Sequence, residues 1–111
     1  MQVVYFHKAA RHPNAVYLMC QAIEKLLKGA QVHLLKQTPK KIHHLKNLAK
    51  ESGLEFSDSQ LETLKVLTTH YERTRYRDLS QAHYNTKTRV QPIIKQGREI
   101  YLWILRELKN H

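Results

Sequence analysis

The chain is 111 residues long, enough for one modest hydrophobic core, so a single domain over residues 1–111 is expected. A formal net charge of +10 attracts polyanions. Nucleic acid, nucleotide phosphates or an acidic protein are thereby favoured over an acidic small-molecule pocket, against the plainer alternative of a solvated basic surface.

Cys20 is the only cysteine, which excludes an intramolecular disulfide and fits a reducing compartment. The N-terminus lacks the basic start and long apolar core of a signal peptide. No apolar run approaches the roughly 18 residues of a membrane span. A soluble, cytoplasmic protein with no membrane association is expected.

Residues 1–10 admit a strand through Val3, Val4 and Phe6, or a truncated helix that adds Ala9 and Ala10. The helix is preferred, because nothing else in the chain offers a strand its partner. A stronger helix starts at Pro13, a residue suited to a first helical turn, with Asn14 as a competing cap. Val16, Met19, Cys20, Ile23, Leu26, Leu27, Ala30 and Leu34 then recur at steps of three and four and make one apolar stripe. Cys20 sits in that stripe and reads as a buried, inert thiol. Glu24 and Lys28 face each other at i,i+4, worth about 0.2–0.5 kcal/mol. Gly29, up to ~1 kcal/mol less favourable than Ala in a helix, marks either a close approach of a second helix or the beginning of the helix's end. Gln37-Thr38-Pro39 closes the segment.

A short helix after Pro39 carries Ile42, Leu45, Leu48 and Ala49 and ends at Ser52-Gly53, with Gly as the left-handed stop. Ser57 and Gln60 form a capping-box pattern that opens the next helix. Its apolar positions are Leu61, Leu64, Leu67 (or Val66), Thr68 and Tyr71. The last helix begins near Asn85-Thr86 and carries Val90, Ile93, Ile94, Gly97, Ile100, Tyr101, Ile104, Leu105 and Leu108. Pro92 lies about a turn in and is expected to kink it. The pattern predicts an all-α bundle of four main helices plus a short N-terminal helix. Stripes this wide on so small a chain also suit a homodimer.

Eight histidines are many for this length. Yet there is no His-Glu-x-x-His pattern and no Cys pair, and His43 and His44 would point about 100° apart on a helix. No metal site and no cofactor are expected. Lys25 and Lys28, at i,i+3, suit a phosphate or simply a solvated face.

The stretch Thr69–Asn85 concentrates Arg73, Arg75 and Arg77 with three tyrosines, His70, His83 and Asp78, and contains neither Gly nor Pro. An Arg beside a His makes a phosphodiester site. The guanidinium forks onto non-bridging oxygens, and the imidazole exchanges a proton near neutrality. RNA brings its own 2′-hydroxyl nucleophile, so such a site needs no metal. The spacing itself is weak evidence, since Arg followed by His after four to six residues occurs twice, as Arg77/His83 and Arg106/His111. Only Arg77/His83 lies between two helical segments. The plainest alternative is that Arg75 and Asp78, at i,i+3, form an ion pair fixing the helix junction.

Gln21-Ala-Ile-Glu-Lys-Leu-Leu-Lys28, His43-His-Leu-Lys-Asn-Leu48, Thr74-Arg-Tyr-Arg-Asp78 and Tyr84, in this order, resemble the HEPN domain from about residue 9 onward. The resemblance implies an up-and-down helical bundle, usually dimeric. It also implies frequent pairing with a small nucleotidyltransferase in toxin–antitoxin or two-subunit systems. Many members are metal-independent ribonucleases whose signature is Arg, four to six residues, then His, with a polar residue after the Arg. The dimer brings two such motifs together.

Carried over, Arg77 holds the phosphate, His83 is the general acid/base, and Asp78 fills the polar position and orients one of them. Three positions depart from the family's patterns. Arg77 stands where one branch has Pro. Asn85 stands where some toxins carry a modifiable Tyr, while Tyr84 follows His83 directly. His44 replaces an acidic residue. The alternative is a non-catalytic subunit that binds nucleotide or RNA, or docks on a nucleotidyltransferase, through Arg73, Arg75, Arg77, Lys25, Lys28 and Tyr84.

Overall fold

A computed structural model describes residues 13–38, 44–74 and 87–110. Among the described residues the chain forms four helices and no strand: α1 (Pro13–Leu35), α2 (Leu45–Lys50), α3 (Asp58–Arg73) and α4 (Lys87–Lys109). This is the all-α class that the apolar stripes predict. The expected N-terminal helix, together with Ile42 and the Asn85-Thr86 start of the last helix, lies outside the described residues.

The stripe of α1 is the spine of the core. Val16, Met19, Cys20, Ile23, Leu27 and Ala30 are each at most 1% exposed. Leu45 and Leu48 of α2, Leu64 and Leu67 of α3, and Val90 and Ile104 of α4 close around them. Leu67 takes the core position that Val66 could have filled; Val66 is 42% exposed. Cys20 lies 3.6 Å from the Leu67 carbonyl oxygen, and burial pushes its thiol up to about 12. A thiol held protonated in this way is a poor nucleophile.

Helix α1 runs past Gly29, which is exposed, and among the described residues nothing lies within 4 Å of where its Cβ would stand. Gly29 therefore neither admits a second helix nor ends its own. The close approach belongs to Gly97 of α4, where a Cβ would meet Met19 Cγ at 2.7 Å. Helix α1 ends at Leu35, and Lys36 turns the chain with a positive φ of 55° while its N–H donates to the Val32 carbonyl at 3.1 Å. This left-handed terminus is the position where Gly is usual.

Helix α2 has His44 at its N-cap without a side-chain cap bond. Its first N–H, on Leu45, donates instead to Thr68 Oγ1 on α3 at 3.0 Å, and that hydroxyl in turn donates to the Leu64 carbonyl at 2.8 Å. The expected stop at Gly53 is realised with φ 93°, a conformation that disfavours any side chain.

The capping box of α3 is complete. Gln60 N–H donates to Ser57 Oγ at 3.1 Å, and Ser57 N–H donates to Gln60 Oε1 at 2.8 Å. Helix α4 is continuous through Pro92, from Lys87 to Lys109. It packs chiefly on α1, while α2 packs chiefly on α3.

Candidate functional site

The Arg-rich stretch of the sequence begins in the last turns of α3. Thr69, His70, Tyr71 and Arg73 still belong to that helix. Thr74 follows as its C-cap, with its hydroxyl donating to the Tyr71 carbonyl at 2.7 Å. The chain is described again from Lys87, at the start of α4. Arg75, Arg77, Asp78, His83 and Tyr84 fall between these points and lie outside the described residues.

What the structure does describe is how the exit of α3 is held. Tyr71 is 3% exposed, and its hydroxyl donates to Glu24 Oε1 of α1 at 2.6 Å. Glu24 is itself 6% exposed, and its other oxygen, Oε2, accepts from Lys28 Nζ at 2.8 Å. The Tyr71 ring packs against Tyr17, one seven-residue step before Glu24, with centroids 5.5 Å apart and planes at 58°. A carboxylate buried between two helices requires such donors, because desolvating it alone is costly. The 2.6 Å O–H···O distance is that of a charge-assisted bond. The last turn of α3 is thus tied to the middle of α1 immediately before the arginines begin.

The i,i+4 pairing of Glu24 with Lys28 is as the spacing predicts. It leaves the two lysines proposed for phosphate contact in different states: Lys28 is half-buried and committed to Glu24, while Lys25 is exposed. Arg73 is half-buried at the end of α3. Sequence reasoning missed Glu24 as an interhelical anchor. A signal was available, since Tyr17, Glu24 and Gln31 follow one another at seven-residue steps along the edge of the α1 stripe. Gln31, at 5% exposed, is as buried as Glu24.

No group of three or more His, Cys, Asp or Glu suited to a metal ion occurs among the described residues. Among the same residues, no helix is long and apolar enough to cross a membrane.

A family model described as the HEPN domain matches residues 5–108 of the chain. No curated protein and no solved structure matches it.

Proposed function

We propose that this chain, which belongs to the HEPN domain family, is a metal-independent endoribonuclease that works as a homodimer in the cytoplasm. The observation that supports this most is the place of Arg77 and His83. In sequence, both fall within the matched residues, after Arg73, where α3 ends, and before Lys87, where α4 begins.

In this reading Arg77 forks onto the non-bridging oxygens of one phosphate and stabilises the charge that builds on phosphorus. His83 takes the proton of the adjacent 2′-hydroxyl, and that oxygen attacks phosphorus. The bond from phosphorus to the 5′-oxygen breaks, and the leaving oxygen receives a proton from the second copy's His83. Asp78 orients the reacting side chains. Arg73, Arg75, Lys25 and Tyr84 contact the rest of the RNA. Lys28 serves them indirectly, through Glu24. Pairing with a small nucleotidyltransferase, as in toxin–antitoxin systems, is the regulatory setting we propose.

Arg77→Ala and His83→Ala test the assignment. Each is expected to lower the rate of RNA cleavage by about 10²–10⁴-fold, the usual weight of a positioned acid/base or an oxyanion donor, with thermal stability unchanged. Wild-type rates in either variant would refute the role of that residue. A wild-type protein that binds RNA without cutting it would leave the non-catalytic, binding or docking subunit as the function.

A further inference from the structure

Along the solvent side of α4, Lys95, Arg98, Leu102, Arg106 and Lys109 follow one another at steps of three and four, which places them on one face of the helix. All five are exposed. None of the four cations has an ion-pair partner among the described residues. At 1.5 Å per residue the stripe is about 21 Å long.

Beside it, α4 and the first turns of α3 border a groove of about 300 Å³ lined by Gln60, Thr63, Gln96, Glu99, Trp103 and Arg106, among others. Trp103 is half-buried and packs on Phe56 with ring centroids 4.9 Å apart. Arg106 belongs to both the stripe and the groove. A row of exposed cations beside a groove with an aromatic wall is the combination that single-stranded nucleic acid uses: charge for the backbone and a ring on which a base stacks.

We propose that the outer face of α4 is a binding platform for single-stranded RNA. The phosphates run along Lys95, Arg98, Arg106 and Lys109, and one unpaired base sits in the groove against Trp103. The choice of RNA rests on the function proposed above. Helix α4 begins just after the connection carrying Arg77 and His83, and Lys95 is only about 12 Å along the helix from Lys87. A second copy of this chain is a poor occupant, because a twofold contact through this face would set four cations against their own images. An acidic protein would match the charge but leave the aromatic groove unused. A duplex would keep its bases out of the groove.

Trp103 is the only tryptophan of the chain, so its fluorescence reports on the groove directly. The probe is a short single-stranded 2′-O-methyl RNA, which has no free 2′-hydroxyl and therefore separates binding from cleavage. Binding is expected to change Trp103 emission, and a duplex of the same sequence is expected to leave it unchanged. Neutralising all four cations (Lys95→Gln, Arg98→Gln, Arg106→Gln, Lys109→Gln) in protein of wild-type helicity is expected to make the dependence of log K on log salt shallower by about 2.8, from ~0.7 per cation on a single strand.

Wild-type affinity and salt slope in that variant would overturn the platform, as would RNA binding that leaves Trp103 emission untouched. Polyglutamate bound in preference to the RNA would overturn it too and assign the face to an acidic protein. Failure of Arg77→Ala and His83→Ala to affect cleavage would count against the catalytic residues alone, because the probe scores the platform independently of chemistry.

Discussion

Glu24 shows how one buried charge organises its surroundings. Each carboxylate oxygen has a donor from a different helical level, Tyr71 across the interface and Lys28 one turn further along α1. Deleting one of these donors removes a hydrogen bond to a buried charged group, worth about 1.5–3 kcal/mol. Tyr71→Phe keeps the ring against Tyr17 and deletes only the hydroxyl. It is therefore expected to lower stability by about that amount, seen as a melting temperature several degrees lower, at roughly 4–8 °C per kcal/mol for a domain near this size. An unchanged melting temperature would show that the hydroxyl does not hold the helices together. The local half of this site, Glu24 with Lys28, is legible from i,i+4 spacing. Tyr71 is 47 residues away from Glu24, and nothing in local periodicity points from one to the other.

At the level of the element, signals confined to one short segment read correctly, and signals that depend on a neighbouring helix do not. The Ser57/Gln60 capping box and the left-handed stop at Gly53 are satisfied within a few residues of chain, and both appear as expected. Gly29 and Gly97 are both helical glycines, and their sequences do not say which one faces another helix. The exposed Gly29 contributes only its low helix propensity, so Gly29→Ala is expected to stabilise the protein by up to about 1 kcal/mol. Gly97→Ala drives a methyl to 2.7 Å from Met19 Cγ in the core and is expected to destabilise by about 1–3 kcal/mol through overpacking. Chemical denaturation of the two variants checks both signs, and a destabilised Gly29→Ala or a neutral Gly97→Ala would contradict the packing described. Lys36 marks a different limit. A lysine at φ 55° carries no sequence signature of a helix end, and the turn comes one residue before the Gln37-Thr38-Pro39 stop.

For the whole molecule, α1 to α4 make a scaffold whose two longest helices pack on each other and whose short α2 is capped by α3. The all-α class followed from apolar periodicity, because burial of a stripe is what stabilises each helix. The candidate site was legible only as a motif. Arg77 and His83 recur in kind as Arg106 and His111, and chemistry requires a geometry that spacing cannot supply. Arg106, from the second pair, is exposed on the cationic face of α4.

If the 2′-hydroxyl of RNA, rather than a metal-bound water, attacks phosphorus, the protein cuts RNA but not DNA and needs no metal to do so. The most direct measurement presents folded, dimeric wild-type protein with matched RNA and DNA strands in excess chelator. Cleavage of the RNA with the DNA left intact is the predicted result. RNA left intact, cleavage abolished by the chelator, or equal cutting of the DNA would contradict it.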